Sequence, residues 1–64
     1  MVERIRALAR DKGLTISAIE KAAGIGNGVI ARWDVHSPRV SQLYAVARLL
    51  DVSLEYLING EQSA

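Results

Sequence analysis

Asn27 and Arg32 stand five positions apart near the end of residues 15–34, TISAIEKAAGIGNGVIARWD. A side-chain amide can hydrogen-bond adenine N6 and N7 together, and a guanidinium can take guanine O6 and N7, both in the major groove of DNA. Between them, Ala31 has a methyl suited to a thymine methyl, while Gly26 and Gly28, on either side of Asn27, bare backbone N–H groups for close approach to a phosphate. Around them lie Ser17, Lys21, His36, Ser37 and Arg39. Their hydroxyl, cationic and imidazole groups suit contacts to the sugar–phosphate backbone, which set position and supply salt-dependent affinity. The expected division is base contact by Asn27, Gly28, Ala31 and Arg32, and backbone contact by Ser17, Lys21, Gly26, His36, Ser37 and Arg39. Asn27 capping a helix and Arg32 merely solvated are the plainer readings of the same residues.

Other chemistries fare worse. The Gly24-x-Gly26-x-Gly28 run could suggest a nucleotide loop, but no strand is predicted before it and no Lys follows at the needed spacing. No Ser/His/Asp or paired-carboxylate arrangement stands out, so an enzyme is not expected. There is no cysteine and one histidine, so neither a disulfide scaffold nor a metal site is expected, and no cofactor is implied.

The elements that must carry these residues read as helices. Val2, Ile5, Leu8 and Ala9 form one apolar stripe, ending near Lys12 with Gly13 as the left-handed terminator. Thr15 is a good N-cap for a second helix running to about Ala23, closed by Gly24. A third helix is predicted from about Asn27 to Asp34, with Ile30 and Trp33 on its apolar stripe. Trp33 is therefore expected in the core rather than stacked on a base. Asn27-Gly28 between apolar neighbours is also a hairpin signal, but no alternating strand lies on either side. Ser37-Pro38 marks a loop. A fourth helix follows over residues 40–50 on Leu43, Val46, Ala47 and Leu50, its cap unclear between Arg39 and Ser41. Ser53 caps a short fifth helix that Asn59-Gly60 ends, leaving 61–64 as a flexible tail.

Sixty-four residues make one domain with a small core. The net charge is only +1, but its distribution is uneven. Arg4, Arg6, Arg10, Lys12, Lys21, Arg32 and Arg39 outnumber the acids of residues 1–39, whereas beyond residue 40 Arg48 faces Asp51, Glu55 and Glu61. The basic half is the one holding the second and third helices, as a phosphate-facing surface requires. No apolar run approaches the roughly 18–20 residues of a membrane span, and the first residues carry acids, unlike a secretory leader. A cytoplasmic location is the default expectation.

With these pieces in order, the chain resembles the lambda-repressor-like (Cro/XRE-type) helix-turn-helix family over nearly its whole length. The carriers are Gly13-Leu14-Thr15, Gly24, Ile30-x-x-Trp33-Asp34, Pro38, Leu43, Ala47 and Val52-Ser53-Leu54-x-Tyr56-Leu57. The resemblance implies a compact all-α, five-helix domain over residues 1–60 containing a helix-turn-helix. It also implies a sequence-specific transcriptional regulator, expected to be a repressor, with its third helix in the major groove of a short operator. Three positions depart from the family pattern. Ile16 stands where Gln usually contacts DNA, Gly26 where Ser often starts the recognition helix, and Glu20 where a small residue usually packs between the helices. Glu20 suggests a compensation: its stem packs between helices while its carboxylate accepts from the N–H groups of Gly26, Asn27 or Gly28. The plainer reading is a solvent-exposed carboxylate.

One such module has a small interface, so a homodimer is expected, with Tyr56, Leu57 and Ile58 as its surface unless they complete the core. The alternative function is a protein-binding module, an antitoxin or anti-repressor whose main partner is a protein.

Overall fold

The computed structural model describes residues 1–60; the tail expected at 61–64 lies outside the described residues. The described residues form four α-helices: α1 (Val2–Asp11), α2 (Ile16–Ala23), α3 (Val40–Leu50) and α4 (Leu54–Asn59). A single turn of 3-10 helix, Ile30–Arg32, lies between α2 and α3. The all-α class is as expected, and no strand occurs among the described residues. The expected count of five α-helices is not met.

Three helices end by one device. After α1, the Gly13 N–H donates to Arg10 O at 3.0 Å and the Leu14 N–H to Ala9 O at 2.8 Å, with Gly13 at φ +71°. These crossed bonds satisfy carbonyls that a helix end leaves without partners, and they need a left-handed residue at the turn. Gly24 does the same after α2, where the Ile25 N–H reaches Glu20 O at 2.8 Å. After α3 the left-handed position falls on Asp51, at φ 58°. The predicted N-caps of α2 and α4 form: Thr15 Oγ1 accepts from the Ala18 N–H at 3.0 Å, and Ser53 Oγ from the Tyr56 N–H at 3.1 Å. Arg39 is the N-cap of α3 and makes no capping hydrogen bond with its side chain.

The core gathers one apolar face from each element. Ile5 of α1, Ile19 of α2, Ile30 of the 3-10 turn, Val46 and Leu50 of α3, and Leu57 of α4 are all fully buried. Trp33 joins them, only 5 % exposed, as its place on the stripe predicted. Leu57 is therefore a core residue, because α4 is too short to bury more than one narrow stripe. The dimer surface expected at Tyr56, Leu57 and Ile58 loses its middle member: Ile58 is half exposed and Tyr56 is partly covered. Arg4 ties α1 to α4, its Nη1 donating to Leu57 O at 2.8 Å. Among the described residues, no helix is long and apolar enough to cross a membrane.

The predicted third helix, Asn27 to Asp34, is replaced by turns. The Val29 N–H donates to Gly26 O at 3.2 Å, closing a β-turn whose third residue, Gly28, has φ +84°. That left-handed value suits glycine in a turn and cannot continue an α-helix. Helical backbone begins only at Val29. Arg32, Trp33 and Val35 then donate to carbonyls three residues back, and His36 to Arg32 O, four back, at 2.7 Å. Mostly three-residue bonds make a tight, irregular coil, and Pro38 follows before it could lengthen. Asn27-Gly28 thus makes a turn, as its composition demands, but neither the hairpin nor the helix start. Gly28 and Arg32 are accordingly not stacked on one α-helical face, as the four-residue spacing had suggested.

Candidate nucleic-acid interface

The carboxylate of Glu20 organises the segment after α2. Glu20 is only 3 % exposed. Its Oε1 accepts from the Gly28 N–H at 3.1 Å and its Oε2 from the Ile30 N–H at 3.0 Å. Burying a carboxylate is costly unless it is hydrogen-bonded, and bonds to an ionised acceptor are the stronger kind. Here both oxygens are engaged, and the charge faces the start of the coil, where N–H groups lack partners. The exposed-carboxylate reading is overturned. The expected donors were Gly26, Asn27 or Gly28; the structure keeps Gly28 and adds Ile30, because the turn at 26–29 delays the helical path by two residues. Gly26 permits that turn to be tight, since a Cβ there would sit 3.3 Å from Val29 Cγ2.

With the backbone so held, Asn27, Gly28, Ala31 and Arg32 are all exposed, as are Ser17, Lys21, Gly26, His36, Ser37 and Arg39. Two clefts divide most of them. Ser17, Lys21 and Asn27 rim a cleft of about 280 Å³ floored by Glu20 and Ile25. Arg32, His36, Ser37 and Arg39 line a second, of about 510 Å³, against Val29, Trp33 and Pro38. Ala31, Gly26 and Gly28 line neither. Gln42 also lines the second cleft, and sequence reasoning missed it. Its signal was present: a second side-chain amide in the first turn of the helix that Arg39 caps.

No ion pair among the described residues occupies Lys21, Arg32 or Arg39, so their charges remain available to an anion. The acid in the same segment, Asp34, is engaged elsewhere. Its Oδ1 accepts from the Met1 ammonium at 3.2 Å and the Val2 N–H at 3.4 Å. Those two hydrogen bonds, the ammonium's first, hold its carboxyl below the ordinary value of 3.8. They also turn the charge toward the start of α1, where the helix dipole favours an anion. The apolar residues Val35 and Val40, 81 % and 74 % exposed, flank the second cleft in sequence. Among the described residues there is no cluster of His, Cys, Asp or Glu fit to hold a metal ion. Comparison with protein-family models, curated proteins and solved structures finds no match to this chain.

Proposed function

We propose that this chain is a sequence-specific DNA-binding transcriptional regulator, acting as a repressor on a short operator. The observation that carries the reading is the exposed surface of residues 26–39. The Asn27 amide, free guanidinium groups and the exposed Gly26 backbone project there from a segment pinned by Glu20, Ile30 and Trp33, whereas the Gly28 N–H, expected to be open, is taken up by Glu20. A major groove about 12 Å wide admits a single helical coil, whose diameter with side chains is about 10–12 Å. Asn27, Ala31 and Arg32 read base edges. Lys21 and Ser17 on one side, and His36, Ser37, Arg39 and Gln42 on the other, hold the two flanking backbones. A homodimer places two such segments about one helical turn apart, with Ile58 as the exposed apolar residue of α4 at its contact.

Selection of bound sequences from a random duplex pool tests this directly. Enrichment of one half-site, affinity falling steeply with salt, and a loss of about 1–3 kcal/mol on Arg32→Ala are expected. Absence of enrichment together with salt-indifferent behaviour sinks it. A second reading, the protein-binding module, has one observation in its favour. Ala22, Ala23, Ala45, Arg48 and Leu49 line an apolar groove of about 380 Å³ between α2 and α3, away from residues 26–39.

A further inference from the structure

We infer that Glu20 is the positioning residue of the reading surface. Its buried carboxylate, by holding the Gly28 and Ile30 amides, sets the backbone path that presents Asn27, Ala31 and Arg32 to base edges. This rests on the DNA-binding reading above and adds to it the residue that confers selectivity without touching DNA.

The segment has little else to fix its orientation. Its internal bonds are mostly of the three-residue kind, with poorer geometry than an α-helix, and so short a coil has almost no stability of its own. Ile30 and Trp33 fix its depth in the core. Apolar contacts are non-directional, so they leave the rotation of residues 26–29 open. Among the described residues, two side chains hydrogen-bond this segment to the helices. Asp34 holds its far end to α1, and Glu20 holds its near end to α2. The near end carries Asn27, next to the bonded Gly28. Base readout needs placement within about 0.5 Å, whereas Lys21 and Arg39 reach phosphates on long flexible stems and follow small displacements. Releasing the carboxylate therefore removes selectivity before it removes affinity.

The test compares Glu20→Gln with the parent chain on two duplexes of equal length: the one the parent selects from a random pool, and its scrambled counterpart. Gln keeps one acceptor oxygen and turns an NH₂ donor toward the other amide N–H. The expected result is a fall of about tenfold in the ratio of the two affinities, the size of one lost base contact. The salt slope should stay unchanged, because no phosphate contact is removed. In the duplex-free protein, amide exchange at Gly28 and Ile30 should accelerate relative to the α3 core. An equal loss on both duplexes, or an unchanged ratio, overturns the inference; a merely structural Glu20 gives the former. If Glu20→Gln shows no cooperative unfolding, Gly28→Ala carries the test. It leaves the carboxylate in place, has open space for its Cβ, and strains the same turn through φ +84°; the same fall in ratio is expected. A parent chain that enriches no sequence overturns the DNA reading and this role with it. The exchange rates at Gly28 and Ile30 then show separately whether the carboxylate holds the turn.

Discussion

Arg4 and Gly60 form a pair whose energies should not add. The Arg4 Nη1 hydrogen bond to Leu57 O is 2.8 Å, and its guanidinium carbon lies 5.8 Å from the centre of the Tyr56 ring. Leu57 O belongs to the last turn of α4, whose carbonyls have no helical partner to spare. A hydrogen bond from a charged group contributes about 1.5–3 kcal/mol, and a partly exposed cation–π contact about 0.5–1 kcal/mol. One guanidinium serves both, so Arg4→Ala should destabilise the fold by about 2 kcal/mol, less than their sum. In a domain of this size that lowers Tm by roughly 8–16 °C. Gly60 lies at φ +78°, and a Cβ there would meet Arg4 Nη2 at 2.9 Å. Gly60→Ala therefore carries about 1–2 kcal/mol of left-handed strain and also displaces the guanidinium from Leu57 O. In an Arg4→Ala background only the strain remains. The double variant should thus lose about 1 kcal/mol less than the two singles combined. Urea unfolding followed by far-UV circular dichroism measures all four corners of the cycle. Additivity within about 0.3 kcal/mol would show that Arg4 is not held where the structure places it.

Asp51 is the one non-glycine residue at positive φ among the described residues, and it closes α3. Asp51→Gly relieves about 1–2 kcal/mol of left-handed strain and gives back about 0.4–1 kcal/mol in chain entropy. A net stabilisation of about 0.5–1 kcal/mol is expected, read as a raised urea midpoint; an unchanged or lower midpoint refutes it. Asp34 should make stability depend on acid. Its carboxyl is held low in the fold by the Met1 ammonium and then the Val2 amide, so the unfolded chain takes up the proton first. Its contribution is complete above the ordinary value of 3.8 and disappears as pH falls through the lower folded value. The stability difference between the parent chain and Asp34→Asn should shrink across that window, and a difference constant in pH contradicts the assignment.

Much of the helical frame was legible from single residues whose chemistry allows few alternatives. Gly13 and Gly24 marked two closures, Thr15 and Ser53 two caps, and the Leu43–Val46–Ala47–Leu50 stripe placed the helix over 40–50 where it is found. The third helix failed because two local signals competed at Asn27-Gly28 and neither described the outcome. The apolar stripe of Ile30 and Trp33 gave correct burial under a wrong geometry, since a tight coil and an α-helix put residues three apart on nearly the same side. That Glu20 would turn inward toward backbone amides was readable from the helix start it faced. Which amides it holds depended on φ at Gly28, which sequence does not state. Leu57 and Ile58 are adjacent and equally apolar, so periodicity alone could not say which faces inward. Gln42 was not legible as a cleft residue because it sits in the first turn of α3, past the loop, and reaches the cleft only through the fold.

The span from Glu20 to its two partners is eight and ten residues, with one oxygen assigned to each. Inserting or deleting a single residue between them would mismatch donor and acceptor and strand a charge in the interior. Substitutions at Asn27, Ala31 or Arg32 alter neither bond, because each of those side chains points outward from the frame. The loop is thus strict in length and permissive in lettering: its outward side chains can be exchanged while the same architecture is kept.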